Sequence, residues 1–423
     1  MPTTAELIER RARLLGPSYR LFYDEPLHLV RGAGVWLHDA AGRRYLDAYN
    51  NVACVGHAHP QVVEAIARQA ATLNTHTRYL HEGVLDYAER LLATLPPELG
   101  HAVFTCTGSE ANDLALRIAR THTGARGVII TRFAYHGVTA GLAEASPSLG
   151  RYVQLGDAVR TVAAPDGDDL SAEELGRRFA DGVRSAIAEL RAAGIQPAAL
   201  LVDTVFSSDG IFTGPRGFLQ PAVDAIHEAG GLFIADEVQP GFARTGEAFW
   251  GFARHGVVPD IVTMGKPMGN GHPVAGLAVR PEAMAAFGRQ CRYFNTFGGN
   301  PVSMAAAGAV LDVIQGQALQ ANALAVGEYL MASLRQLGEK HALIGQVRGA
   351  GLFVGVELVT DRAQRTPATA EAARVANGLR DAGVLLSATG EAGHILKLRP
   401  PLVFERQHAD LLVQTLDEVL RRL

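Results

Sequence analysis

The stretch "FLQPAVDAIHEAGGLFIADEVQ" (218–239) holds a helix pattern followed directly by a strand pattern. Val223, Ile226 and Ala229 recur at helical spacing, and "GLFIA" then runs apolar without a break until Asp236, Glu237 and Gln239. A strand buried on both faces reads this way. Four further runs have the same form: "HAVFTCTGSE" (101–110), "GVIITRFAYHG" (127–137), "AALLVDTV" (198–205) and "DIVTMGK" (260–266). Helical patterns separate them, as in "NDLALRIAR" (112–120), where Leu114, Ala115, Ile118 and Ala119 share a face. Alternating strand and helix predicts an α/β fold with a mostly parallel central sheet flanked by helices. In such sheets ligands gather beyond the carboxyl ends of the strands, which is where all five runs turn polar.

Four of these polar ends carry candidate chemistry. Thr107 and Glu110 have capping-box spacing, so the amides of Gly108 and Ser109 face outward from a helix N-terminus, ready either for an anion or for water at an ordinary helix start. Asp236 closes a buried run and needs a partner, which is either a protonated heteroaromatic nitrogen or one of the many arginines. Tyr135 and His136 supply aromatic faces at the same sheet edge. Lys266 is one of only three lysines, with Lys340 and Lys397, and it alone sits at a strand end that opens into a Gly/Pro-rich loop, "PDIVTMGKPMGNGHP" (259–273). A desolvated lysine there can form a Schiff base; otherwise it is a surface lysine beside a turn. Gly265-Lys266 is not a P-loop, because Pro267 replaces the required Ser/Thr and Asp260 stands at the first glycine.

Taken together, "YLDAYNNVACVGHAHP" (45–60), "TGSEANDLALRIAR" (107–120), "FAYHG" (133–137), "ADEVQPGFARTG" (235–246), "PDIVTMGKPMGNGHPVAG" (259–276), "FNTFGGNPVS" (294–303), "VRGAGLFVGVEL" (347–358) and "LKLRPPLVF" (396–404) carry a resemblance. The chain resembles the class III aminotransferases, fold-type-I enzymes that use pyridoxal 5'-phosphate. "LNTHTRYLHE" (73–82) and "GKPMGNGHP" (265–273) are most similar to the branch of alanine-glyoxylate aminotransferase 2 and of the ethanolamine-phosphate and phosphohydroxylysine phospho-lyases. The resemblance implies that Lys266 is the Schiff-base lysine and proton carrier and that Asp236 pairs with the ring nitrogen. It places Gln239 on the ring hydroxyl, Val238 on one ring face, and Tyr135 or His136 on the other. Gly108 and Ser109 would take the phosphate. Thr296 would reach the phosphate of a neighbouring subunit, which implies a homodimer with shared active sites.

On the substrate side the resemblance makes Arg399 a carboxylate-binding arginine and places Asp203 at the position of its glutamate partner, one methylene short, with Ser207-Ser208 where glycines are usual. Arg78, Thr77, Tyr19 and Arg20 are the candidates for a substrate phosphate, and Asn51 is a further pocket candidate. Two activities are therefore expected: transfer of an amino group from an amine or amino acid to a small keto acid such as pyruvate or glyoxylate, or elimination of phosphate and ammonia from a compound such as O-phosphoethanolamine. Intact Lys266, Asp236 and Gln239 stand against a third reading, a non-catalytic cofactor-binding protein.

Length and composition set the remaining bounds. The 423 residues, 48% hydrophobic, suffice for a large core, expected as a cofactor domain over 60–310 and a smaller α+β domain built from 1–59 and 311–423. A net charge of −4 with interspersed signs offers neither a nucleic-acid stripe nor a membrane patch. The charged N-terminal stretch lacks the apolar core of a signal peptide, so a cytoplasmic location is expected. Cys54, Cys106 and Cys291 read as reduced thiols. His57 and His59 lack a third ligand at a sensible interval, and no metal is expected.

Overall fold

The computed structural model describes residues 2–167 and 169–423. Near the N-terminus β1 (Leu29–Ala33), β2 (Trp36–Asp39) and β3 (Arg44–Asp47) form an antiparallel meander. The central sheet follows, built from β4 (His101–Thr105), β5 (Gly127–Thr131), β6 (Val159–Val162), β7 (Pro197–Asp203), β8 (Leu232–Asp236), β9 (Ile261–Met264) and β10 (Ala275–Val279). Its spatial order is β4-β10-β9-β8-β7-β5-β6. Only β10 runs against the rest, antiparallel to both β4 and β9. The C-terminal part adds β11 (Ile344–Ala350), β12 (Phe353–Asp361), β13 (Thr366–Pro367), β14 (Val384–Leu385), β15 (Ser387–Thr389) and β16 (Ile395–Leu398). These strands make a second antiparallel sheet, except that β14 crosses back to pair in parallel with β3, Val384 opposite Leu46.

The continuous apolar runs have a simple cause. Side chains of a strand point alternately to its two faces, and here both faces are covered. Ile130, Leu201, Ile234 and Ile261 pack with Leu114, Ile118 and Ala119 of the helix Gly108–Thr123. Their neighbours Ile129, Leu200, Val202, Phe233 and Val262 enter the opposite core with the helices Ala172–Ala192, Gln220–Glu228 and Pro301–Gly316. Two strands of this sheet lie outside the five runs that the sequence marks. β6 is only four residues long and half-buried in its middle, and β10 hides in the segment just after the Lys266 loop. Among the described residues no single helix is long and apolar enough to cross a membrane.

Candidate active site

The helix Gly108–Thr123 begins with the expected capping box. Thr107 Oγ1 accepts the Glu110 amide at 3.1 Å, and Glu110 Oε2 accepts the Thr107 amide at 2.9 Å and that of Cys106 at 2.8 Å. The first amides of the helix, on Gly108 and Ser109, are left without intrahelical acceptors, and the helix dipole adds to their pull on an anion. Glycine is required at 108 for space: a Cβ there would stand 2.9 Å from Val238 Cγ2. Ser109 Oγ accepts the Val138 amide at 3.2 Å, which ties this helix start to the segment after β5.

Five strands deliver their ends to one cavity of about 420 Å3, lined by Gly108, Ser109, Tyr135, His136, Asp203, Asp236, Val238, Gln239 and Lys266, with Asn112 and Gly137. Asp236 is buried. Its Oδ2 lies 2.7 Å from His136 Nδ1 and accepts Asn112 Nδ2 at 2.9 Å, while Oδ1 accepts the Val238 amide at 3.1 Å. Asn112 in turn accepts Thr263 Oγ1 at 2.6 Å, so three strand ends fix one carboxylate. Tyr135 borders the same space, and its phenol is raised in pKa by burial and by Asp236. His136 Nε2 is buried and has no partner among the described residues.

Lys266 follows β9 with its amine in the cavity. Burial first, and then the Arg399 guanidinium, lower its pKa to about 8, against the opposing pull of Asp236 and Asp203. Near physiological pH a minority of such an amine is neutral, far more than for an ordinary lysine, and that fraction is nucleophilic.

On the substrate side, hydrogen bonds link four residues in series. Arg399 Nη1 donates to Gln239 Oε1, Gln239 Nε2 donates to Ser207 Oγ, and Ser207 Oγ donates to Asp203 Oδ2. Arg399 and Asp203 are thus connected through Gln239 and Ser207, and no direct ion pair joins them among the described residues. Arg399 is buried, its guanidinium 4.7 Å from the Tyr49 ring centroid, and its Nε has no partner among the described residues. Burial raises the pKa of Asp203, and Asp236 raises it further. Asn51 is buried beside them and donates to the Gln239 carbonyl at 3.1 Å.

Lys397 belongs here too, although its place in an alternating strand sets it aside in the sequence. It shares strand parity with Arg399, and its Nζ donates to the Ser207 carbonyl at 3.0 Å. Burial, then Arg399, hold its pKa well below the usual lysine range, while Asp203 opposes them. That parity was the available clue. Asn112 had one as well, since it is a polar residue on a helix face otherwise filled by Ala111, Leu114 and Ala115.

Five expected residues lie apart from the cavity, among them Thr77 and Arg20, both exposed. Arg78 is exposed and stacks 3.8 Å over the Phe294 ring, Tyr19 is exposed beside Arg11, and Thr296 is exposed in the loop that follows Phe294. His57 is bound to Asp47 at 2.6 Å, and no group of three or more potential ligands placed to hold a metal occurs among the described residues.

The residues present fit pyridoxal 5'-phosphate. An open helix N-terminus stands ready for its phosphate, a buried carboxylate for its ring nitrogen, and a readily deprotonated amine for its aldehyde, and the partnerless His136 Nε2 lies at the aromatic wall. Known proteins point the same way. The chain is 42% identical to a fruit-fly (Drosophila melanogaster) protein named alanine–glyoxylate aminotransferase 2-like, over 96% of this chain and 85% of the relative. It superposes with a TM-score of 0.95 on a phospholyase from Arthrobacter solved in complex with phosphoethanolamine, 44% identical, covering 99% of this chain and 100% of that one. An amine transaminase from an uncultivated Pseudomonas species, solved in a PLP-bound form, gives a TM-score of 0.87 at 30% identity, covering 94% of this chain and 95% of that one. Residues 22–420 match the family described as aminotransferase class-III, and the chain belongs to these pyridoxal-phosphate-dependent enzymes.

Proposed function

We propose that this chain is an aminotransferase that moves an amino group from an amine or amino acid to a small keto acid of the pyruvate or glyoxylate type. The observation that carries this reading is Arg399: a buried guanidinium beside Lys266, held by a neutral amide and an aromatic face, is a receptor for a carboxylate. Bound in the cavity, pyridoxal 5'-phosphate supplies an electron sink for the substrate Cα. Asp236 would hold the proton on the ring nitrogen, with His136 and Asn112 fixing the carboxylate. Lys266 Nζ, half neutral at about pH 8 and more so above it, would take the Cα proton and return it. Val238 and Tyr135 would hold the ring between them, and Gly108 and Ser109 its phosphate.

A second reading, elimination of phosphate from a phosphorylated amine, is favoured by the likeness to the Arthrobacter phospholyase. It would need a phosphate receptor, for which Arg78 and Tyr19, both on the surface of the single chain, are proposed. A homodimer that brings Thr296 and Arg78 to a neighbour's cavity is part of the proposal. It is supported by the exposed apolar side chains of Leu80, Phe297 and Val138 close to these residues in sequence or beside the cavity.

The deciding experiment compares Arg399→Ala with Arg78→Ala, each assayed for pyruvate-dependent transamination and for phosphate release from O-phosphoethanolamine. For an aminotransferase, loss of a charge-assisted arginine–carboxylate contact should cost about 2–4 kcal/mol, or roughly thirty- to a thousandfold in acceptor kcat/KM, in Arg399→Ala alone. For a phospho-lyase, the larger loss falls on Arg78→Ala. Equal small losses in both variants would mean that the substrate's anion binds elsewhere.

A further inference from the structure

The turn after β7 is more tightly restrained than its contact with Gln239 requires. Phe206 and Ile211 carry φ angles of 50° and 61°, and for a β-branched residue such as Ile211 this conformation is strained. Strain of this kind persists where the surroundings over-determine the backbone, and it collects at functional sites. The restraints are visible. Arg348 Nη2 donates to the Gly210 carbonyl at 2.9 Å and its Nε to that of Ile211 at 3.0 Å. Thr389 Oγ1 and Lys397 Nζ reach the Ser207 carbonyl at 3.2 and 3.0 Å.

The remaining restraint leads elsewhere. Asp209 Oδ2 accepts Thr131 Oγ1 at 2.7 Å, and its Oδ1 accepts the Phe133 amide at 3.0 Å. Thr131 is the last residue of β5, and Phe133 opens the segment that carries Tyr135 and His136. One carboxylate therefore joins the ends of two neighbouring strands, β5 and β7, on the side from which both the ring-facing and the substrate-facing residues emerge. A plain structural tie needs no charge at such a place.

We propose that Asp209 is a positioning residue, which locks the 204–211 turn, and through Ser207 the Gln239–Arg399 pair, in register with the segment bearing Tyr135 and His136. The proposal rests on the cofactor site but on neither reaction class. Burial pushes the Asp209 carboxyl up to about 6, against the opposing bonds from Thr131 and Phe133. The charged groups around it are Asp203 from β7, His136 from the segment after β5 and Arg348 from β11. Asp166, Glu357, Arg365, Glu391 and His394 line a separate cavity that Asp209 and Arg348 also border. Because the folded pKa lies above the ordinary 3.8, the buried carboxylate weakens the fold as pH rises from about 4 to 6, and the cost is complete above 6. A cost borne at neutral pH is consistent with a role in the site.

The test uses the full chain loaded with cofactor, in the wild type and in Asp209→Asn, Thr131→Val and Thr131→Ser. Wild-type activity is measured as both transamination and phosphate release, and the variants are assayed in whichever is present. Asp209→Asn and Thr131→Val should lose about tenfold to a hundredfold in kcat/KM, as expected for a sub-ångström to ångström displacement, while Thr131→Ser keeps the donor and stays near wild type. Circular dichroism in the absorption band of the bound cofactor should weaken in the first two variants. Wild-type kcat/KM should fall as pH drops through about 6, and this limb should vanish in Asp209→Asn. The melting temperature of Asp209→Asn relative to wild type should rise between pH 4 and 6 and level off above. Unchanged kinetics and dichroism in Asp209→Asn and Thr131→Val would overturn the proposal, as would a limb near pH 6 that persists in Asp209→Asn, since it would then belong to another group. If Asp209→Asn fails to fold, Thr131→Val decides by the same readouts. A wild type inactive in both assays would sink the functional reading, and the dichroism and melting data would still judge Asp209.

Discussion

At the scale of single residues the site is governed by burial of charge. Lys266 and Lys397 are both driven below the usual lysine range by desolvation, yet only Lys266 opens into the cavity. This predicts how the protein takes up its cofactor. The neutral amine is the reactive form, so the rate at which cofactor-free protein regains its cofactor should climb about tenfold per pH unit below 8 and level off above it. Stopped-flow absorbance checks this, and a rate that kept climbing to pH 10 would show an ordinary lysine. Lys266 and Asp236 were legible in the sequence because each ends an apolar run, where a polar side chain has no other reason to be. Lys397 and Ser207 were not, because what makes them part of the site is contact with residues some 190 positions away in the chain.

At the scale of elements the strand ends and one helix start carry the design. Five strands and the capping box at Thr107 could be read locally, since burial on both faces and cap chemistry are encoded within a few residues. β10 could not, because a short strand against two partners leaves no periodic trace of its own direction. The helix Pro301–Gly316, apolar nearly all round, likewise shows no amphipathic stripe. The fit of the helix start at Gly108 against the strand end at Val238 predicts that Gly108→Ala will push on Val238, 2.9 Å from the new methyl. Overpacking of about 1–3 kcal/mol should lower the melting temperature of the cofactor-free protein, and the displacement of Val238 and of the helix start should weaken cofactor affinity as well. Equilibrium titration with the cofactor measures it, and wild-type affinity would show that the helix start yields without cost.

At the scale of the whole molecule the ends of the chain meet, β14 beside β3, a pairing across more than three hundred residues that no local pattern announces. The cavity of one chain leaves Thr296 and Arg78 facing outward. If they serve a neighbour's site, mixing inactive Lys266→Ala subunits with Thr296→Ala subunits should produce hybrids in which one site carries both lesions and the other neither, and activity should return on mixing. Sedimentation and assay of the mixture test this, and full activity in a dilute monomer would refute it. The single antiparallel strand separates two parts of the site. β4 leads to the helix that starts at Gly108 and β9 to Lys266, and β10 lies between them in the sheet. Beyond the strand ends the two segments nonetheless converge: a Cβ on Gly265 would stand 3.4 Å from the Gly108 backbone, so the chain entering Lys266 passes against the start of that helix. Two glycines thus let backbone lie against backbone where the helix start and the Lys266 loop meet, a closeness that side chains at 108 or 265 would crowd.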